Sequence, residues 1–191
     1  MKQSEQNVRC LGNLRALSQV CLKYANDNNG RMPQGNVGQG SLYWFDQLCA
    51  YEGSGDRYTM LNYMGCPAAR STGWRTVNGS RPYDINYRCG WSNQPPHTYI
   101  NYGFLHHIDA GFTAPPTGGL SKAAWFMDPR TDNLAHFDYR VAATTPFRRD
   151  HNKKTNVLFF DGHAAAVEIP DFNQSPNLLT QPEWIDFFGA P

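Results

Sequence analysis

The sequence predicts a single α+β domain with a long N-terminal helix, an antiparallel hairpin near the C-terminus and long irregular loops. Three observations carry this prediction: helical spacing of apolar residues at the start, two β-rich runs around an Asp-Gly pair, and 17 Gly with 13 Pro among 191 residues. That length suits one domain, and no repeat or linker divides it. We expect a helix over 1–28, a loop-rich body over 29–170 and a docked tail over 171–191.

The N-terminal helix is predicted from one apolar stripe. The stripe residues follow one another at spacings of four or three, which places them on one helix face. They are Cys10, Leu14, Leu17, Cys21 and Tyr24, with Leu11 and Val20 alongside. The first turns are polar all round, and Asn28-Asn29-Gly30 before Pro33 is a strong helix stop.

The middle of the chain predicts a few short elements separated by loops. Residues 42–51 (LYWFDQLCAY) indicate a short helix that packs in the core. Alternating β-formers predict a strand over 98–104 and a second over 123–127. Glycine, proline and small polar residues predict loops or turns over 34–40, 53–56, 70–96 and 109–121.

The C-terminal hairpin is the clearest β signal. Residues 155–160 and 163–169 are rich in β-formers and flank Asp161-Gly162, so we expect a type I′ turn there. The continuous apolar run 157–160 predicts a strand buried on both faces, one of which carries the helix. In the tail, an apolar cluster is expected to dock on the body: Trp184, Phe187 and Phe188.

Charge and motifs exclude several functional classes. The chain has 17 Lys and Arg against 16 Asp and Glu, and its densest basic stretches are Arg148-Arg149 and Lys153-Lys154. Phosphate binding needs a clustered basic face, so no nucleic-acid partner is expected. No apolar run approaches the ~18 residues of a membrane span. The sequence contains neither a nucleophile elbow nor a phosphate-binding glycine loop, so we predict no enzymatic activity.

Five cysteines are present, and their spacing leaves their state open. They are Cys10, Cys21, Cys49, Cys66 and Cys89. An odd count leaves at least one thiol, and no pair has Cys-x-x-Cys spacing. Up to two disulfides and buried thiols both remain open.

His151, Asp161 and His163 are the most suggestive candidates for a metal site, since imidazole and carboxylate suit zinc, nickel or iron. The favoured alternative is structural, with His151 and Asp161 holding the terminal hairpin. His97 and His106-His107 with Asp109 are weaker candidates. Adjacent histidines on a strand point to opposite faces.

A second candidate is an oxygen-rich stretch that could hold calcium: Asp128, Asp132, Asn133 and Asp138. Its spacing does not match an EF-hand, so a solvated loop is the favoured interpretation. No other cofactor is expected.

Three sequence anchors resemble one family when taken in order. They are Arg9–Leu17 continuing into Tyr24–Pro33, then Met64-Gly65-Cys66-Pro67, and finally His151, nine intervening residues and Asp161-Gly162. Together they resemble pilin-like proteins (pseudopilins) that carry the H-x9-DG domain of prepilin-type processing-associated proteins. The region 70–150 resembles no family. The resemblance implies that the structural motif consists of Cys10, Cys66, Pro67, His151, Asp161 and Gly162, with no catalytic residue.

The resemblance implies a type IV pilin-like fold, in which the second half of the long helix packs on an antiparallel sheet. It also implies a short leader cut by a prepilin peptidase and ~20 apolar residues as a membrane anchor, neither of which is in this sequence. We therefore expect the soluble head of a structural subunit of a type II secretion or type IV pilus-like assembly. Its partners would be other pilin-like subunits and the secretion machinery. The full-length protein would be anchored in the inner membrane, with its head in the periplasm or at the cell surface.

Two other functions stay open at this point. Aromatic and amide side chains within residues 83–102 would suit sugar stacking in a surface-displayed carbohydrate-binding module. A metal-dependent hydrolase would use His151, Asp161 and His163.

Overall fold

The fold is described from a computed structural model of the chain. The structure describes residues 3–29, 33, 36–37, 42–53, 55, 60, 64–68, 83–86, 119–128, 136–137, 147 and 149–188. Its helices and strands are α1 (Gln3–Asp27), β1 (Asn36–Val37), β2 (Leu42–Tyr43), α2 (Trp44–Glu52), β3 (Asp84–Asn86), β4 (Ala124–Met127), β5 (His136–Phe137), β6 (Thr155–Phe159), β7 (Ala164–Val167), a 3-10 helix (Pro176–Thr180) and α3 (Pro182–Phe188).

Helix α1 confirms the predicted N-terminal helix and its stripe. It is 25 residues long, and the buried residues on it include Cys10, Leu14, Leu17 and Cys21. Tyr24 is only half-buried, and the next residue along the chain, Ala25, is buried in its place. After the helix, Asn29 adopts a left-handed φ of 55°, the conformation that commonly ends a helix.

A five-stranded sheet supports the helix, with strand order β5-β3-β4-β6-β7. Strands β3, β4, β6 and β7 pair antiparallel with their neighbours. Strand β5 instead pairs parallel with β3, so the sheet is mixed, whereas the sequence predicted an antiparallel one. Strand β4 pairs with one edge of β3, and β5, which follows β4 in the chain, pairs with the other edge. A strand of two residues is too short to show a hydrophobic pattern from which its direction could be predicted.

Strand β6 is buried on both faces, as predicted, because it separates two cores. All five of its residues are buried. Leu158 faces the core that contains the α1 stripe. Val157 and Phe159 face a second core that contains the C-terminal segment. The predicted docking of the tail is confirmed, since Phe187 and Phe188 of α3 are buried in this second core and Trp184 packs against it.

The turn between β6 and β7 differs from the predicted type I′ turn. Gly162 has a φ of 89° and its N–H donates to the Phe159 carbonyl at 2.9 Å, while Phe159 N–H donates to the His163 carbonyl at 2.9 Å. Among the described residues, Asn29, Asn152 and Lys153 are the non-glycine positions with positive φ, and Asp161 is not one of them. The loop is therefore longer than two residues, and only its glycine needs left-handed backbone.

Two predicted loops contain short strands. Strand β1 lies within the predicted loop over 34–40 and pairs antiparallel with β2. Strand β2 takes the first two residues of the predicted helix over 42–51, so the helix itself begins at Trp44. Strand β3 lies in a region predicted as turns. The predicted strand over 123–127 is confirmed as β4. The predicted strand over 98–104 lies outside the described residues.

Within the described part of the chain, no helix combines the length and the apolar character that crossing a membrane requires.

Candidate metal centre

Four buried side chains from distant parts of the sequence meet beside the N-terminal half of α1. They are Cys10, Cys66, Asp128 and His151, and one potential ligand atom from each lies within 4.8 Å of every other. None of the four is more than 2% exposed. This group is called the buried cluster below.

Cys10 is the first buried residue of α1 and brings the helix to the cluster. Its Sγ donates to Oδ1 of Asp128 at 3.2 Å. The hydroxyl of Tyr83, fully buried just before β3, lies 3.5 Å from the same sulfur and donates to the Cys10 carbonyl at 3.4 Å. The stripe that packs the helix thus also positions a thiol.

Cys66 lies in the Cys-Pro segment that the sequence analysis singled out. The side-chain amide of Asn13 on α1 donates to the Gly65 carbonyl at 3.0 Å, which holds this segment against the helix. Pro67 is helical, which suits a ring with fixed φ at the first position of a helix. The sulfur of Cys66 lies 3.2 Å from Nε2 of His151.

Asp128 directly follows β4 and remains in the sheet's hydrogen-bonding pattern. Its N–H donates to the Asn156 carbonyl at 2.9 Å, and its Oδ2 accepts the Asn156 N–H at 2.7 Å. Through this second bond, the backbone of the buried strand β6 orients the Asp128 carboxylate. The sequence favoured a solvated loop around Asp128 over a calcium site, but Asp128 is 1% exposed.

His151 is held by a tight turn at Asn152-Lys153. Both turn residues have left-handed backbone, with φ of 54° and 64°, and His151 and Lys154 exchange backbone hydrogen bonds across them at 3.1 and 3.2 Å. Positive φ at both central residues defines the type I′ turn. The type I′ turn therefore lies here, nine residues before the position that the sequence predicted.

The imidazole of His151 points Nε2 into the cluster, 3.4 Å from Oδ2 of Asp128. Its other nitrogen, Nδ1, is buried and has no hydrogen-bond partner among the described residues. His151 also lines a cavity of about 350 Å³ together with Gln3, Ser4, Asn7 and Asn152. The cluster itself is closed to solvent, and this cavity reaches its histidine from outside.

Burial dominates the electrostatics of the cluster. It raises the pKa of Cys10, and the hydrogen bond with Cys66 and the charge of Asp128 raise it further. Burial likewise raises the pKa of Asp128 well above its usual value, although His151 and the Asn156 N–H oppose this effect. Burial lowers the pKa of His151, but its contacts with Cys66 and Asp128 outweigh burial, and the net pKa is raised. For Cys10 and Asp128 the pKa is therefore raised in the direction that disfavours the charged form.

The structure does not bring the predicted trio of His151, Asp161 and His163 together. His151 is buried, whereas Asp161 and His163 are partly exposed, with 36% and 45% of their side chains accessible. Nδ1 of His163 lies 2.6 Å from Oδ1 of Asp161. His151 instead contacts Cys66 and Asp128. Asp161 braces its own turn with His163, because both stand on the same exposed loop.

The remaining candidates divide into two groups. Cys21 and Cys49 are buried thiols that lie outside the cluster, in the core between α1, α2 and the sheet. The other candidates lie outside the described residues: Cys89, His97, His106, His107, Asp109, Asp132, Asn133 and Asp138.

Sequence reasoning named every member of the cluster but never as one set. Asp128 and His151 stood in two different metal hypotheses, and Cys10 and Cys66 stood in neither of them. The one available signal was chemical, namely that two cysteines, a histidine and an aspartate are all common metal ligands.

Comparisons with models of protein families, with curated proteins and with solved structures found no match to this chain in any of the three.

Proposed function

We propose that this chain is the head domain of a pilin-like structural subunit, which acts by assembling with other subunits in a type II secretion or type IV pilus-like filament. The observation that carries the proposal is the packing of α1. Its buried stripe lies against the sheet through β6 and β7 and against α2, while its outer face stays exposed. A long helix laid along a sheet with one face free is the arrangement that a helix-bundled filament needs.

The first turns of α1 also support an assembly role. Residues 3–9 contain no buried side chain, and Val8 is 70% exposed. Within the described residues, Val8 is the one large hydrophobic side chain that is exposed. An α-helix rises 1.5 Å per residue, so these seven residues extend about 10 Å beyond the first core contact at Cys10. They form a surface on which a neighbouring helix could pack.

The chemistry of the buried cluster favours a structural role over a catalytic one. Catalysis by a thiol, imidazole or metal requires access for a substrate or for a water molecule. None of the four members of the cluster is more than 2% exposed, and among the described residues that line the adjoining cavity His151 is the one member of the cluster. The exposed pair Asp161 and His163 has no further catalytic group among its described contacts.

The test is the state of the native protein in the cells that produce it. Antibodies against this domain would locate it in fractionated cells and in filaments sheared from the surface, and mass spectrometry would read its mature N-terminus. We expect membrane and filament fractions to contain a chain with ~20 apolar residues before α1. A native chain that begins at Met1 and stays in the soluble fraction would refute the proposal.

A further inference from the structure

We propose that Cys10, Cys66, Asp128 and His151 form a structural zinc site that fastens helix α1 to the sheet and to the Cys-Pro segment. This site is independent of the filament role proposed above, and either proposal can fail alone.

The donor atoms lie close enough together for a compact four-coordinate site, with one from each residue within 4.8 Å of every other. Tetrahedral zinc, with Zn–S near 2.3 Å and Zn–N or Zn–O near 2.0–2.2 Å, holds its ligand atoms roughly 3.3–3.8 Å apart. Cys10 Sγ lies 3.2 Å from Asp128 Oδ1, and Cys66 Sγ lies 3.2 Å from His151 Nε2. His151 Nε2 lies 3.4 Å from the second oxygen of Asp128, Oδ2. A small expansion of the cluster would accommodate the ion.

The chemistry of the donors selects zinc over calcium or magnesium. Two thiolates and one imidazole are soft or borderline ligands, whereas calcium and magnesium require oxygen. Four protein ligands without an open position are typical of structural zinc sites. All four residues here are protein ligands that are at most 2% exposed.

Outer-shell contacts already orient the ligands, as they do in established metal sites. The Asn156 N–H donates to Oδ2 of Asp128 at 2.7 Å, and Oδ1 accepts from the Cys10 sulfur at 3.2 Å. The Tyr83 hydroxyl lies 3.5 Å from the Cys10 sulfur, where it can donate to a thiolate. The type I′ turn holds both the backbone N–H and the carbonyl of His151 in hydrogen bonds with Lys154.

Electrostatic balance gives the ion a reason to bind. Two thiolates and a carboxylate would place three negative charges in a dry interior, which is prohibitive without a cation. The described ion-pair partner of Asp128 is His151, which supplies at most one positive charge. Zinc supplies two positive charges and leaves one net negative charge, and binding would release to solvent the thiol protons and any proton on Asp128 or on Nε2 of His151.

The decisive measurement is the metal content of the purified 191-residue protein. We expect about one zinc per chain by mass spectrometry of the elements, and cobalt substitution should produce a thiolate-to-cobalt charge-transfer band together with the visible bands of a tetrahedral ion. Chelation of the zinc should lower Tm by roughly 5–10 °C.

Cys66→Ser is the test variant and Cys49→Ser its matched control. Both thiols are buried, but the sulfur of Cys49 donates to the Phe45 carbonyl at 3.0 Å, a bond that a serine hydroxyl can keep. We expect Cys49→Ser to retain its zinc, and Cys66→Ser to lose at least nine-tenths of it. Circular dichroism of each variant checks folding.

Three results would overturn the site. The first is folded wild-type protein that stays metal-free after exposure to zinc and gives no charge-transfer band with cobalt. The second is a disulfide between Cys10 and Cys66 in the native protein. The third is full zinc occupancy in Cys66→Ser. The cobalt experiment uses wild-type protein, so the proposal stays testable if that variant does not fold.

Discussion

The sulfur of Cys66 lies 3.2 Å from Nε2 of His151, although 85 residues separate them in sequence. This contact joins the Cys-Pro segment to the turn that precedes β6. Cys66 and His151 come from two separate anchors of the sequence motif, and the fold brings these anchors into contact. Cys66 and His151 are members of one buried cluster, so replacing either should affect the same part of the fold.

Replacing His151 should cost far more stability than replacing His163. His151 is buried against Cys66 and Asp128, so His151→Ala leaves a cavity and a carboxylate without its partner, at about 2–4 kcal/mol. His163→Ala removes an exposed pair with Asp161 and a stacking contact with Phe159, at no more than about 1 kcal/mol. Urea unfolding of both variants makes the comparison, and equal losses would show that the hairpin pair matters as much as the cluster.

The turn at Asn152-Lys153 predicts a stabilising substitution. Lys153 has a φ of 64°, which costs a residue with a Cβ about 1 kcal/mol and costs glycine little. Lys153→Gly should therefore raise the free energy of unfolding by about 0.5–1 kcal/mol and create the Asn-Gly pair that type I′ turns prefer. Lys154→Gly, in the bridge to His151, is the control and should not stabilise. A destabilised Lys153→Gly would mean that the Lys153 side chain matters more than its backbone.

Two glycines should respond to alanine in opposite directions. Gly162 has a φ of 89°, so Gly162→Ala should destabilise by about 1–2 kcal/mol through backbone strain, although its Cβ would meet only Ser18 Oγ at 3.8 Å. Gly12 lies inside α1, and a Cβ added there would meet nothing within 4 Å, so Gly12→Ala should stabilise by about 0.5–1 kcal/mol. Thermal unfolding measures both, and a stable Gly162→Ala would argue against the left-handed turn.

Leu14 should be a principal anchor of α1. It is fully buried in the core between the helix and the sheet, so Leu14→Ala should destabilise by about 3–5 kcal/mol through the cavity it leaves. Val8→Ala, on the exposed face of the same helix, should change stability by no more than about 0.5 kcal/mol. Chemical denaturation of the pair tests whether the helix is docked, because similar small effects would show that α1 does not pack as described.

Local patterns in the sequence predicted the elements that depend on nearby residues. The α1 stripe, the end of α1 at Asp27, strand β4 and the β6–β7 pair all follow from spacing and turn residues within a few positions. The parallel pairing of β5 with β3 joins residues that no short window contains. The type I′ turn at Asn152-Lys153 is local, but it lacks the glycine that usually marks such a turn, whereas Asp161-Gly162 has it.

By itself, the sequence determined that this protein is an α+β domain built on an amphipathic helix and a C-terminal hairpin, since helical and strand periods are local properties of the chain. Only the tertiary structure decided that Cys10 on the helix meets Asp128 after β4, 118 residues away, with Cys66 and His151 beside them. The physical reason is that burial and ligand geometry arise when the helix lies on the sheet. Residues with no spacing relation then become neighbours in a dry interior.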